Sequence, residues 1–104
     1  MTDILILIQR TPGRDDQGDP VILETTRTVF CGVRSVGQQE FYQASATDFH
    51  PELKLILADY LDYQGERLVE YNGIRYRVIR TYRAGQELEL TVERAPVEDG
   101  GLNG

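Results

Sequence analysis

Cysteine is almost missing from this chain of 104 residues: Cys31 stands alone. No intrachain disulfide can form, which points to synthesis in a reducing cytoplasm. A lone cysteine can also be a nucleophile, but a reactive thiolate needs a cation or base nearby. Cys31 follows Phe30 in a strand-like stretch with no His or Asp beside it, so it reads as a small buried apolar residue. Histidine is equally scarce. With His50 as the only one, no metal site can rest on a histidine pair and no Ser-His-Asp set has a choice of base. Beside Pro51, His50 reads as a capping or solvated residue. The glycines at 13, 18 and 32 lack the spacing of a phosphate loop. Asp15, Asp16 and Asp19 lack the alternation and closing Glu of a calcium loop. Asp59 and Asp62, near Glu66, could be paired carboxylates, but solvation at a strand end is the simpler reading. Catalysis, cofactor and metal therefore find no positive support in the sequence.

Long apolar runs are also lacking. Residues 4–8 form a short one, far below the roughly 18 residues a membrane span requires. Asp3 precedes it where a signal peptide would carry positive charge, so neither secretion by that route nor anchoring is expected. Positive charge is the minority sign. The net charge is −6, which argues against a surface that grips nucleic-acid phosphates. What basic charge there is comes as ten Arg and a single Lys, Lys54. Arginine is the cation favoured at protein interfaces, although solvated surface accounts for it equally well.

What is present is a β pattern in one domain, of radius about 13 Å if closely packed. Residues 3–10 read as a first strand buried on both faces. Residues 11–20 hold two prolines, two glycines and three aspartates and read as a loop. Residues 21–36 resume the β pattern and are long for one strand, so a bend or bulge near Gly32 is expected. Ser35 and Gln38 have capping-box spacing, and Phe41, Ser45 and Phe49 share a helical face; a short helix over 38–48, stopped by Pro51, follows. Leu53, Leu55 and Leu57 mark a strand to about Tyr60.

Asn72-Gly73 is the strongest hairpin signal, since both residues tolerate the positive φ of a type I′ turn. It pairs Tyr71 with Ile74, Glu70 with Arg75 and Val69 with Tyr76. For Tyr76 and Val78 to share a face with Leu88, Leu90 and Val92, a three-residue loop over 83–85 is expected, with Gly85 last. That register pairs Val78 with Leu90 and Arg75 with Glu93. The meander over 66–94 then has a core face of Val69, Tyr71, Ile74, Tyr76, Val78, Leu88, Leu90 and Val92. In all, the sequence predicts a mainly all-β fold: a small antiparallel barrel of about six strands, with one short helix between the second and third. The domain spans 1–94, and 95–104 is a flexible acidic tail. Arg75, Arg77, Arg80 and Arg83 with Tyr76 and Tyr82 form a basic-aromatic stretch that would suit base stacking. The register, however, turns Tyr76 into the core.

The run from Tyr63 to Tyr82 (YQGERLVEYNGIRYRVIRTY), followed by Glu87-Leu88-Glu89-Leu90, resembles the head-closure or head–tail joining proteins of long-tailed bacteriophages and prophages. Residues 33–36 (VRSV) and 40–44 (EFYQA) fit the same pattern, and the likeness covers about residues 3–94. It implies a non-enzymatic structural virion protein, a small β-barrel assembling as a homo-oligomeric ring at the head–tail connector. It also implies assembly in the bacterial host cytoplasm. Such a ring closes the DNA-filled head below portal and adaptor rings and offers a docking surface to tail terminator or tail-tube proteins. DNA passes through its channel without sequence-specific binding. Some relatives place a channel-closing segment between the second and third strands, here about 37–50. Carried over, Gln38, Gln39, Glu40, Phe41 and Tyr42 become candidate lumen or neighbour contacts; a helix packed over a barrel end reads equally well. Arg14, Asp15 and Asp16 in the first loop, with Arg77 and Arg83 on the arginine-rich edge, complete the candidate partner-binding set. A small β-barrel interaction module of another tail or assembly complex, and an OB-like single-strand binder, are the alternative readings.

Overall fold

The alternation of Leu5 and Leu7 with Ile4 and Ile6 sets one face of the first strand inward, and the rest of the barrel is built on that choice. In the computed structural model, which describes residues 2–37 and 50–96, β1 (Asp3–Arg14) and β2 (Pro20–Ser35) form a long antiparallel hairpin. β3 (Leu53–Leu57), a 3₁₀ turn (Tyr60–Asp62), β4 (Leu68–Tyr71), β5 (Ile74–Ala84) and β6 (Glu87–Arg94) follow. The strands close into an all-antiparallel barrel in the order β1-β2-β3-β6-β5-β4, with β4 returning to β1. Leu5, Leu7, Cys31, Leu55, Leu57, Val69, Tyr76, Leu88, Leu90 and Val92 fill the interior. Small barrels are filled in this way, leaving a core and no channel.

The meander follows its pattern closely. Asn72 (φ 55°) and Gly73 (φ 77°) both take positive φ, and Tyr71↔Ile74, Glu70↔Arg75 and Val69↔Tyr76 pair as expected. All eight residues of the expected core face lie in the core or pack against it. The β5–β6 register differs from expectation. Val78 faces Val92, not Leu90, and Glu93 faces Arg77, not Arg75. The loop has two residues, Gly85 and Gln86, with Ala84 opposite Glu87. Gly85 takes φ 64° at the first central position, the signature of a type II′ turn. Parity is restored inside the strand: the register shifts between Val78 and Arg80, leaving Ile79 as a bulge. One extra residue moves a face as effectively as one extra loop residue.

The other departures concern strand ends. Residues 11–14 are strand, and only 15–19 form the first loop. Pro12 is tolerated because β4 pairs only with Ile6, Leu7 and Ile8, so β1 is an edge at that point. Burial of β1 is not two-sided throughout, since Ile4 is 55% exposed. β2 runs unbroken past Gly32, where it changes partner: Cys31 pairs with β1 and Gly32 with Ile56 of β3. β3 stops at Leu57, because the Asp59 carboxylate accepts the Leu61 N–H and begins the 3₁₀ turn. The expected helix over 38–48 and the tail from 97 lie outside the described residues.

Candidate functional site

Two strands are longer than the barrel can use. β1 has twelve residues but only three pair with β4, and β2 has sixteen but only four pair with β3. The surplus is a two-stranded ribbon, residues 10–14 paired with 20–24, leaving the barrel wall. At about 3.3 Å per residue it reaches roughly 15 Å. Its tip is a built turn. Asp15 Oδ1 accepts the N–H groups of Gln17 and Asp19, both at 2.9 Å, the Asp15 carbonyl accepts from Gly18, and Arg14 donates to the Gly18 carbonyl at 2.7 Å. Along the ribbon, Ile22 and Leu23 are exposed, and Leu23 lies over Gly13, where a Cβ would stand 2.5 Å from Leu23 Cδ1. On the barrel wall Phe30 (66% exposed) sits beside its cross-strand partner Ile4.

The root of the ribbon is fixed by charge. Arg10 Nε donates to Glu24 at 2.9 Å, and Arg75 of β5 donates both terminal nitrogens to the same carboxylate at 3.0 Å. Hydrogen bonds from Arg75 and then Arg10 hold the Glu24 carboxyl below its ordinary range, and Glu24 raises Arg75 in return. β5 lies three strand spacings from β2 round the sheet, so the ribbon curves toward the outside of β4 and β5. Between its root and the end of β6 lies an open groove of about 810 Å³, lined by Arg10, Arg67, Arg75, Arg77 and Arg94, with Leu68, Ile74 and Pro96. Arg77 pairs with Glu93, Arg94 lies 3.8 Å from Glu52, and Arg67 makes no ion pair among the described residues. With Glu70 also 3.9 Å from Arg75, carboxylates offset four of the five groove arginines, and Arg67 supplies the charge left over among the described residues.

A second charged group closes one barrel mouth. Arg27 shares the inward parity of Val29 and Cys31, and its guanidinium meets the buried Glu66 carboxylate at 2.7 Å and the Asp62 carbonyl at 2.6 Å. Glu66 also accepts from the Gln64 N–H at 2.8 Å, while the Tyr63 hydroxyl donates to the Glu66 carbonyl. Burial raises the Glu66 carboxyl, but the Arg27 and Gln64 donors outweigh it and hold it below its ordinary value. Asp59 caps the 3₁₀ turn and accepts from Gln86 Nε2, tying the β5–β6 turn to the crossover. The Glu66 and Asp59 carboxylates thus serve structure, while Asp62 contributes its backbone carbonyl. Burial, with Asp3 adding to it, pushes the Cys31 thiol up to about 11.

The candidate residues fall in three places. Arg14, Asp15 and Asp16 sit together at the ribbon tip, and Arg77 lies in the groove. Arg83 is elsewhere, 3.5 Å over the Tyr60 ring, with its Nε on the Gly85 carbonyl. Gln38, Gln39, Glu40, Phe41 and Tyr42 lie outside the described residues. The sequence reading missed Glu24, Arg67 and Arg94 as groove and root residues, and the Arg27–Glu66 pair. Arg27 carried a signal, a charge at inward parity in a strand whose next two inward positions are Val29 and Cys31. For Glu24 no local signal existed, since its partner Arg75 comes from a strand remote in sequence, and Arg67 joins the groove through residues far from it along the chain. No helix among the described residues is long and apolar enough to cross a membrane. No protein-family model matches the chain, and no curated protein matches it.

Proposed function

We propose that this protein is a structural ring subunit of the phage head–tail joint, closing the filled head beneath the portal and adaptor and presenting the surface on which the tail docks. The observation that supports this reading best is the division of labour in the chain. The barrel interior is packed solid, while strand length beyond its needs goes into an exposed apolar and charged ribbon. Such a molecule works through its outer surface, and in a ring of such subunits the DNA path is the central hole. The net charge of −6 suits a conduit along which DNA slides without adhering. The resemblance of residues 63–82 and 87–90 to head-closure proteins supplies the particular assembly.

The test is a phage or prophage lacking this chain. Filled heads that leak DNA and remain tailless, with electron microscopy of complete particles placing a ring of this barrel at the connector, are expected. Heads that keep their DNA and join tails normally would overturn the proposal.

A further inference from the structure

We infer that the acidic tip of the β1–β2 ribbon of one copy docks in the arginine-lined groove of a second copy, making the subunit contact of a head-to-tail assembly. The inference deepens the ring reading and rests on it for closure of the ring. The contact itself is argued from charge and reach.

The groove selects an anionic occupant. Arg67 has no carboxylate of its own among the described residues, and Arg94 is held only loosely, 3.8 Å from Glu52. The ribbon tip supplies what the groove lacks. Asp15 is consumed by its own turn, but Asp16 and Asp19 are exposed, with no ion pair among the described residues. Behind the tip, exposed Ile22, on the ribbon face that carries Glu24, matches Leu68, Ile74 and Pro96 on the groove wall.

The tip cannot be taken by the groove of its own copy. Arg10, at the ribbon root, already lines that groove, and five rows of pairing from Arg10↔Glu24 to Arg14↔Pro20 hold the tip away from it. Bringing it back would break that ladder. The occupant is therefore the tip of another molecule. Donor and acceptor surfaces differ, so each copy keeps one of each after the first contact, and the contact propagates until the rotation closes.

Charge reversal tests the contact, read by sedimentation of the full chain at millimolar concentration. The wild type is expected to associate with concentration. Asp16→Arg/Asp19→Arg and Arg67→Glu are each expected to weaken association at least about tenfold, as like charges meet. An equimolar mixture of the two is expected to recover it, because Arg tips then meet Glu grooves. Circular dichroism of each variant checks that the barrel is intact. Wild type that stays monomeric, or association indifferent to both reversals, would overturn the inference. So would a mixture that fails to recover although both variants are folded. If low-salt binding of single-stranded DNA is lost in Arg67→Glu while self-association is unchanged, the groove belongs to nucleic acid. Virions carrying Asp16→Arg/Asp19→Arg separate the two claims: a normal ring at the joint removes the ribbon contact and leaves head closure standing.

Discussion

Arg27 and Glu66 are a charged pair where a barrel of this size would ordinarily place apolar residues, and the two partners are unequal. Glu66 is only 2% exposed, while the Arg27 side chain reaches solvent. Removing the arginine strands a carboxylate, so Arg27→Ala should destabilise by about 1–3 kcal/mol in urea unfolding. The sign of the pH dependence follows from the direction of the Glu66 shift. Its folded-state value lies below the ordinary 4.5, so its stabilisation is full above that value and is lost as pH falls through the folded one. Thermal melts between pH 3 and pH 7 should therefore show a steeper acid loss in the wild type than in Glu66→Gln. Equal slopes would remove Glu66 from the account. Cys31, buried with its thiol pushed up to about 11, should resist alkylation at pH 8 until the barrel unfolds, which mass spectrometry across a urea series would follow.

At the scale of elements, the Asn72-Gly73 hairpin carries the most local information. Gly73→Val places a branched side chain at φ 77°, and a loss of about 1–2 kcal/mol is expected from the left-handed conformation alone. Retained stability would mean that the turn had changed type. This hairpin was legible because turn chemistry and strand alternation agree within a few residues. The β5–β6 pairing was legible only in its faces. Tyr76, Val78, Leu88, Leu90 and Val92 had to share a side, but a bulge at Ile79 and a longer loop satisfy that demand equally, and no local residue distinguishes them. The ribbon was hidden for a different reason. Pro12 and Gly13 mark a loop in any reading of composition, whereas strand pairing with the stretch from Pro20 to Glu24 overrides them and leaves only the aspartate-bearing residues 15–19 as loop. The groove was less legible still, being assembled from residues as far apart as Arg10 and Arg94.

For the whole molecule, barrel and ribbon are separable. Leu5, Leu7, Val29 and Cys31 all lie on the barrel side of the Arg10–Glu24 pair. Replacing residues 11–23 with an Asn-Gly turn should leave cooperative unfolding and the far-ultraviolet spectrum of a β-barrel. Collapse of the fold would show that the ribbon stabilises the core. Phe30→Ser, on the exposed wall, should change stability by no more than about 0.5 kcal/mol, so any assembly defect it caused would report a contact and not a folding fault.

The unbroken course of β2 has a mechanical meaning. Its sixteen residues extend from the ribbon tip, through the barrel wall, to the β3 pairing at Gly32–Ser35, a path of about 50 Å along one strand. A two-stranded ribbon alone is a compliant beam, but Arg75 on Glu24 clamps this one where it leaves the wall. That tie sets the direction in which the ribbon leaves the wall, and the same strand carries on to the four residue pairs that join β2 to β3. Ribbon and barrel wall are thus one continuous piece of backbone, and Glu24 marks the point where the one becomes the other.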